Sequence, residues 1–128
     1  AHNIQWIIPL RILEIELWDE VAMTEMTTLV EETHTFVNAG QAPVHILIES
    51  SKLMNRPVNF QEINRIAKSM GNPGTGWWVM INPGKMISFV ASVLSKLLGI
   101  KLKTANSIEE AQSILQRVDL TLVTPPLG

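Results

Sequence analysis

The chain has 128 residues, 46% of them hydrophobic and 17% charged, which is room for one domain with a sizeable core and excludes disordered, collagen-like and coiled-coil classes. It has no cysteine, which excludes a disulfide scaffold, a thiolate metal site and a cysteine nucleophile. The net charge of −2 is too small to define a partner class.

From the N-terminus, Ile4 to Ile8 is a short apolar run broken by Pro9 and Leu10. Arg11 to Trp18 then alternates Ile12, Glu14, Glu16 and Trp18 against Leu13, Ile15 and Leu17. The pattern predicts two strands joined by a tight turn, with one wet, acidic face and one dry face. Thr24 is placed to cap a helix whose apolar positions Met26, Leu29, Val30, Thr33 and Val37 recur at helical spacing, with Gly40 at its end. Val44 to Ile48 reads as a short strand buried on both sheet faces. Asn59 and Glu62 form a capping box for a second helix, with Phe60, Ile63, Ala67 and Met70 on one side and Gly71 as terminator.

Trp77 to Ile81 is a further buried strand. Pro83 and Gly84 turn the chain into a third helix that runs through Leu98 and is closed by Gly99, and Lys101 to Lys103 is a brief strand. Ser107 and Glu110 make the strongest capping box, opening a helix with Ile108, Ala111, Leu115 and Val118 inward. Residues 120–128 are an apolar tail in which Pro125 and Pro126 end regular structure. The order ββαβαβαβα predicts a single α/β domain over residues 1–128: an N-terminal β-hairpin, then alternating αβ units forming one mixed, mostly parallel sheet of about five strands.

The charges are unevenly placed. Residues 1–51 hold eight acidic side chains against Arg11 alone, and residues 52–103 hold eight basic ones against Glu62 alone. Such a division marks either a surface for an anionic partner or two solvated faces that attract one another. No nucleic-acid partner is expected. No charged-then-apolar leader is visible, so the expected location is cytoplasmic.

Motifs for chemistry are sparse. The stretch Gly71-Asn72-Pro73-Gly74-Thr75-Gly76 precedes a strand and lacks the Gly-Lys-Ser/Thr ending of a phosphate loop, so it reads as a turn. Asn82-Pro83-Gly84-Lys85 follows a strand and opens a helix, so Asn82, Gly84 and Lys85 are the candidate anion-binding residues. His2, His34 and His45 lack the spacing that puts two ligands on one helix face, and no metal is expected. Glu49 is the one acidic residue where α/β folds place chemistry, and a catalytic partner for it would have to be Ser50, Ser51 or Lys52. No catalytic residue is assigned, no cofactor is expected, and the chain is not read as an enzyme.

The third helix is the most informative element. At roughly 100° per residue, Lys85, Ser88, Ser92, Ser95, Lys96 and Gly99 fall in an arc of about 100°, and apolar residues fill the remainder. That is more apolar surface than a sheet covers. Neighbouring helices, a second copy, a protein partner or lipid must bury the excess, and Met86, Phe89, Val90, Val93 and Leu97 are the candidate partner-binding residues. The helix is too short and too polar to span a bilayer, which takes about 20 apolar residues. The alternative function is a carrier of a lipid or small apolar ligand, with Trp77 or Trp78 lining a pocket and Lys85 meeting an acidic headgroup.

Two segments, Val44-His45-Ile46-Leu47-Ile48-Glu49 followed by Ser50-Ser51-Lys52-Leu53, and Thr104-Ala105-Asn106-Ser107-Ile108-Glu109-Glu110-Ala111, resemble the central strand and the final strand-to-helix passage of the STAS/SpoIIAA-like family of anti-sigma factor antagonist folds. With the element order, the resemblance runs from about Ile4 to Val118. It implies about four helices packed mainly on one face of the sheet, and a regulatory or protein-interaction module without chemistry of its own, acting through a protein partner or a homodimer. In phosphorylated members a serine opens the helix after the central strand. Here Val58, Asn59 and Phe60 stand there, none with a hydroxyl, so the usual phosphoserine switch is not expected.

Overall fold

The computed structural model describes residues 1–54 and 60–122, with the backbone alone for Phe60, Met86, Ile87 and Val90. The predicted Asn59 cap, Val58 and the tail from Val123 onward lie outside the described residues. Strands β1 (His2–Ile8), β2 (Ile12–Asp19), β3 (Val44–Leu53), β4 (Thr75–Ile81) and β5 (Leu102–Ala105) alternate with helices α1 (Met23–Ala39), α2 (Phe60–Ser69), α3 (Lys85–Leu98) and α4 (Ile108–Val118) in the predicted order. They form one sheet in the order β1-β2-β3-β4-β5, antiparallel at the hairpin and parallel elsewhere.

This order explains where the helices go. Each crossover from β2 onward advances one strand in the same direction, and crossovers share one hand, so α1, α2 and α3 fall on the same face. After β5 there is no further strand to reach, and α4 is free to cover the other face. Leu13, Ile15, Val44 and Ile46 pack under Leu29 and Val37 of α1. Ile12, Leu47, Val79, Ile81 and Ala105 pack under Ala111 and Leu115 of α4. The period-two alternation of β2 and β3 thus feeds two cores, one on each side.

Local signals were realised unevenly. Ser107 caps α4 by accepting the Glu110 N–H at 3.1 Å, and the Glu110 carboxylate reaches back to the Asn106 N–H at 3.2 Å. Thr24 does not cap α1. The Met26 N–H already bonds the Ala22 carbonyl, so the helix starts ahead of Thr24 and Ala22 takes the cap position without a side-chain bond. The wet face of β2 also needs correction, because Glu14 is only 3% exposed and accepts a hydrogen bond from the Gln5 amide at 2.9 Å. Burial raises its pKa, a shift reinforced by Glu16 and Glu49 although the Gln5 bond opposes it.

Strand β3 outruns its predicted end at Ile48 because the far end of β2 pairs with it: Trp18 lies beside Lys52 and Asp19 beside Leu53. Between Glu16 and Trp18 the register advances two residues on β2 and three on β3, so β3 carries a bulge just after Glu49.

Candidate functional site

Helix α3 sits against the sheet through Ala91, Leu94 and Ser95, which wall a cavity together with Ile48, Trp78 and Met80. At about 100° per residue the opposite side of the helix carries Phe89, Val93 and Leu97. Phe89 is 67% exposed and Leu97 68%, while Val93 is half-buried. For Met86 and Val90, the other two candidate partner-binding residues, only the backbone position on α3 is described.

The helix is therefore oriented against its simplest polarity. Ser95, placed in the polar arc by its spacing, faces the cavity because its hydroxyl donates to the Ser92 carbonyl at 2.8 Å and needs no water. Among the described side chains of α3, Phe89 and Leu97 are left outside.

The cavity measures about 240 Å³ and lies between the sheet and α1, α2 and α3. Trp78 lines it. Trp77, one residue earlier on β4, faces the α4 side, where the Lys103 and Lys101 ammonium groups lie 5.0 and 5.9 Å from its ring. Ser50, on the cavity side of β3, is 8% exposed, and its hydroxyl has no hydrogen-bond partner among the described residues. In the sequence Ser50 stands out only as a neighbour of Glu49. Its even spacing from Ile46 and Ile48 is the signal that puts it on their face.

Glu49 accepts the Ser51 N–H at 2.8 Å and the Ser51 hydroxyl, an arrangement closed within three consecutive residues. Of the anion-binding candidates, Asn82 takes a left-handed backbone (φ 47°) and donates its amide to the Asn106 carbonyl at 2.9 Å. Gly84 is the α3 N-cap without a side-chain cap bond, and Lys85 is exposed. Asn82 also lines a polar cleft with Thr104, Asn106 and Glu110, which Gly84 and Lys85 do not.

A buried polar cluster lies at the other end of the sheet, around His45 and Asp119. His45 is 1% exposed. Its Nδ1 accepts the Trp77 N–H at 2.9 Å, so the proton is on Nε2, which donates to the Asp119 carboxylate at 2.8 Å. Arg11 donates to the same oxygen at 2.7 Å, and Thr121 donates its N–H and hydroxyl to the other one. Burial lowers the His45 pKa against the pull of Asp119. For Asp119, burial opposes ionisation, but the bonds from Thr121 and His45 and the Arg11 charge outweigh it and bring the pKa to about 2. With both ring nitrogens committed and no solvent access, His45 cannot serve as a general base. The cluster ties the end of α4 to β3 and β4. Gly76 makes room for it, since a Cβ there would lie 2.6 Å from the imidazole.

His34 is likewise structural, its Nε2 donating to the Ser69 carbonyl at 2.7 Å and its Nδ1 accepting from Asn72 at 3.1 Å, which joins α1 to the end of α2. Among the described residues no group of three or more His, Asp or Glu side chains could hold a metal ion, and no helix is long and apolar enough to cross a membrane.

A hairpin followed by three crossovers, with three helices on one sheet face and a closing helix on the other, defines the STAS/SpoIIAA-like fold. The chain is similar over 97% of its length to all of the anti-sigma factor antagonist SpoIIAA in its unphosphorylated form, with a TM-score of 0.57 and 16% identity. It is also similar to the Bacillus cell fate determinant SpoIIAA in its phosphorylated form, with a TM-score of 0.59 and 15% identity over 90% of this chain and 99% of that one. At such identities the likeness is one of fold. No family model and no curated protein matches the sequence.

Proposed function

We propose that the protein is a non-catalytic regulatory module of STAS/SpoIIAA-like type that works by binding a protein partner or a second copy of itself through the outer face of α3. The observation that carries this reading is the exposure of Phe89 and Leu97, 67% and 68%, on the helix side turned away from the sheet. Exposed large apolar groups at i and i+8 with Val93 between them form the stripe by which an amphipathic helix docks. The commitment of His45 and Glu49 to bonds within the fold supports a role without catalysis. The fold likeness to an anti-sigma factor antagonist supports a regulatory one. Regulation by phosphoserine at the start of α2 is not part of the proposal, because Val58, Asn59 and Phe60 offer no hydroxyl.

The test is light scattering of the wild type and of a Phe89→Glu/Leu97→Glu double variant, with affinity capture of each from the native host. The wild type should dimerise or retain a protein, and the double variant should do neither while keeping its circular dichroism and melting temperature. A strictly monomeric wild type that retains nothing would overturn the reading.

A further inference from the structure

We propose that the cavity between the sheet and α1, α2 and α3 binds an uncharged amphiphile, a hydrocarbon body with one hydroxyl or carbonyl group, which the Ser50 hydroxyl anchors by a hydrogen bond. The cavity is partly open to solvent, measures about 240 Å³ and is walled by Met26, Ile48, Ile66, Trp78 and Leu94 among others. An apolar cavity of roughly 150 Å³ already takes up benzene, so a medium-length alkyl chain or a bicyclic ring is within its capacity.

The polar inventory of the walls specifies the ligand further. Among the described residues none that lines it is charged. A buried carboxylate or ammonium would therefore find no counter-charge, and its desolvation would go uncompensated. Two hydroxyls of the described residues line the space, and the Ser95 hydroxyl is already bonded to the Ser92 carbonyl. The Ser50 hydroxyl, on a residue 8% exposed, has no partner among the described residues and can donate one hydrogen bond and accept another.

The β3 bulge beside Ser50 places it and Leu53, three residues later, on the same cavity wall, which a regular strand could not do. Entry is available from a wetter pocket of about 360 Å³ that shares Ala67, Met70, Trp78 and Ile100 with the cavity and carries Lys68 and Asn72. This site is separate from the outer face of α3.

The experiment titrates 1-decanol, with decanoate as the charged counterpart, into the full chain and follows saturation-transfer NMR, Trp fluorescence and the melting temperature. Decanol should bind saturably and raise the melting temperature with concentration, and decanoate at pH 8 should bind at least about tenfold more weakly. Ser50→Ala should keep the fold, melt no lower than wild type and bind decanol about five- to tenfold more weakly. Ala91→Phe should fill the cavity and abolish binding, and Ala67→Leu serves if that variant does not fold. No saturable decanol binding by folded wild type, equal binding of decanoate, or undiminished affinity in Ser50→Ala would each overturn the proposal. Phe89→Glu/Leu97→Glu should bind decanol as wild type does, which keeps the fate of this site distinct from that of the α3 interface.

Discussion

The two faces of the sheet are covered in different ways. On the α4 face, Ile12, Leu47, Val79 and Ile81 meet Ala111 and Leu115, and a polar cluster in which Arg11, His45 and Thr121 all donate to Asp119 locks the end of the helix. On the other face three helices share the same kind of strand surface, yet leave a cavity of about 240 Å³ and a Ser50 hydroxyl with no partner among the described residues. One short helix joined to a closed hydrogen-bond network holds its ground. Three helices on one face must also fit one another, and α3 is left with apolar residues on both sides.

The sharpest way to break this contrast is paired truncation. Leu115→Ala should cost about 3–4 kcal/mol in urea denaturation, whereas Leu94→Ala, at the wall of an existing space, should cost about 1–2 kcal/mol. Equal losses would remove the distinction between the faces.

Next in size, Asp119→Ala strands the His45 Nε2–H and the Arg11 guanidinium and should cost roughly 2–4 kcal/mol.

Acid should expose the same cluster. Below pH 6.5 the unfolded chain protonates His45, which the folded protein resists, so stability falls as pH drops through that value. A second loss follows below the ordinary Asp value of 3.8, as pH approaches the folded value of about 2 for Asp119. His2 acts in the opposite sense. Its bond to Glu25, with further help from Glu32, outweighs burial and raises its pKa above 6.5, so its contribution is full at pH values below 6.5 and is lost as pH rises through the folded value. A His2→Gln variant should therefore lose stability more steeply than wild type as pH falls from 8 to 5, and parallel curves would count against this assignment.

On the looser side the expected effects are smaller. Ser50→Ala should stabilise by roughly 0.5–1 kcal/mol, because it removes a buried hydroxyl that has no partner among the described residues. Phe89→Ser should change stability by no more than about 0.5 kcal/mol while weakening self-association or partner capture; a large loss would mean that Phe89 belongs to the core.

Much of this organisation was legible in the residues. The alternation of Ile12 to Leu17, the Ser107–Glu110 capping box and the apolar runs at Val44 and Trp77 are local patterns, and each produced its element. The site was less legible. Phe89, Val93 and Leu97 stood out as surplus apolar surface, and the structure places Phe89 and Leu97 outside. The inward turn of Ser95 was hidden, because its hydroxyl is satisfied by a carbonyl within its own helix. Glu14 was read as solvated from an alternation that cannot register what lies across the strand, here Gln5.

By itself the sequence determined the element order, and with it the single, mostly parallel sheet, because periodicity and caps act over short stretches of chain; the side on which the crossover helices lie followed from the strand order in the folded sheet. Only the tertiary structure decided the β3 bulge, the commitment of His45 to Asp119 across 74 positions, and the cavity at Ser50. Each depends on which distant residues arrive at the same place, and on whether the space between them closes.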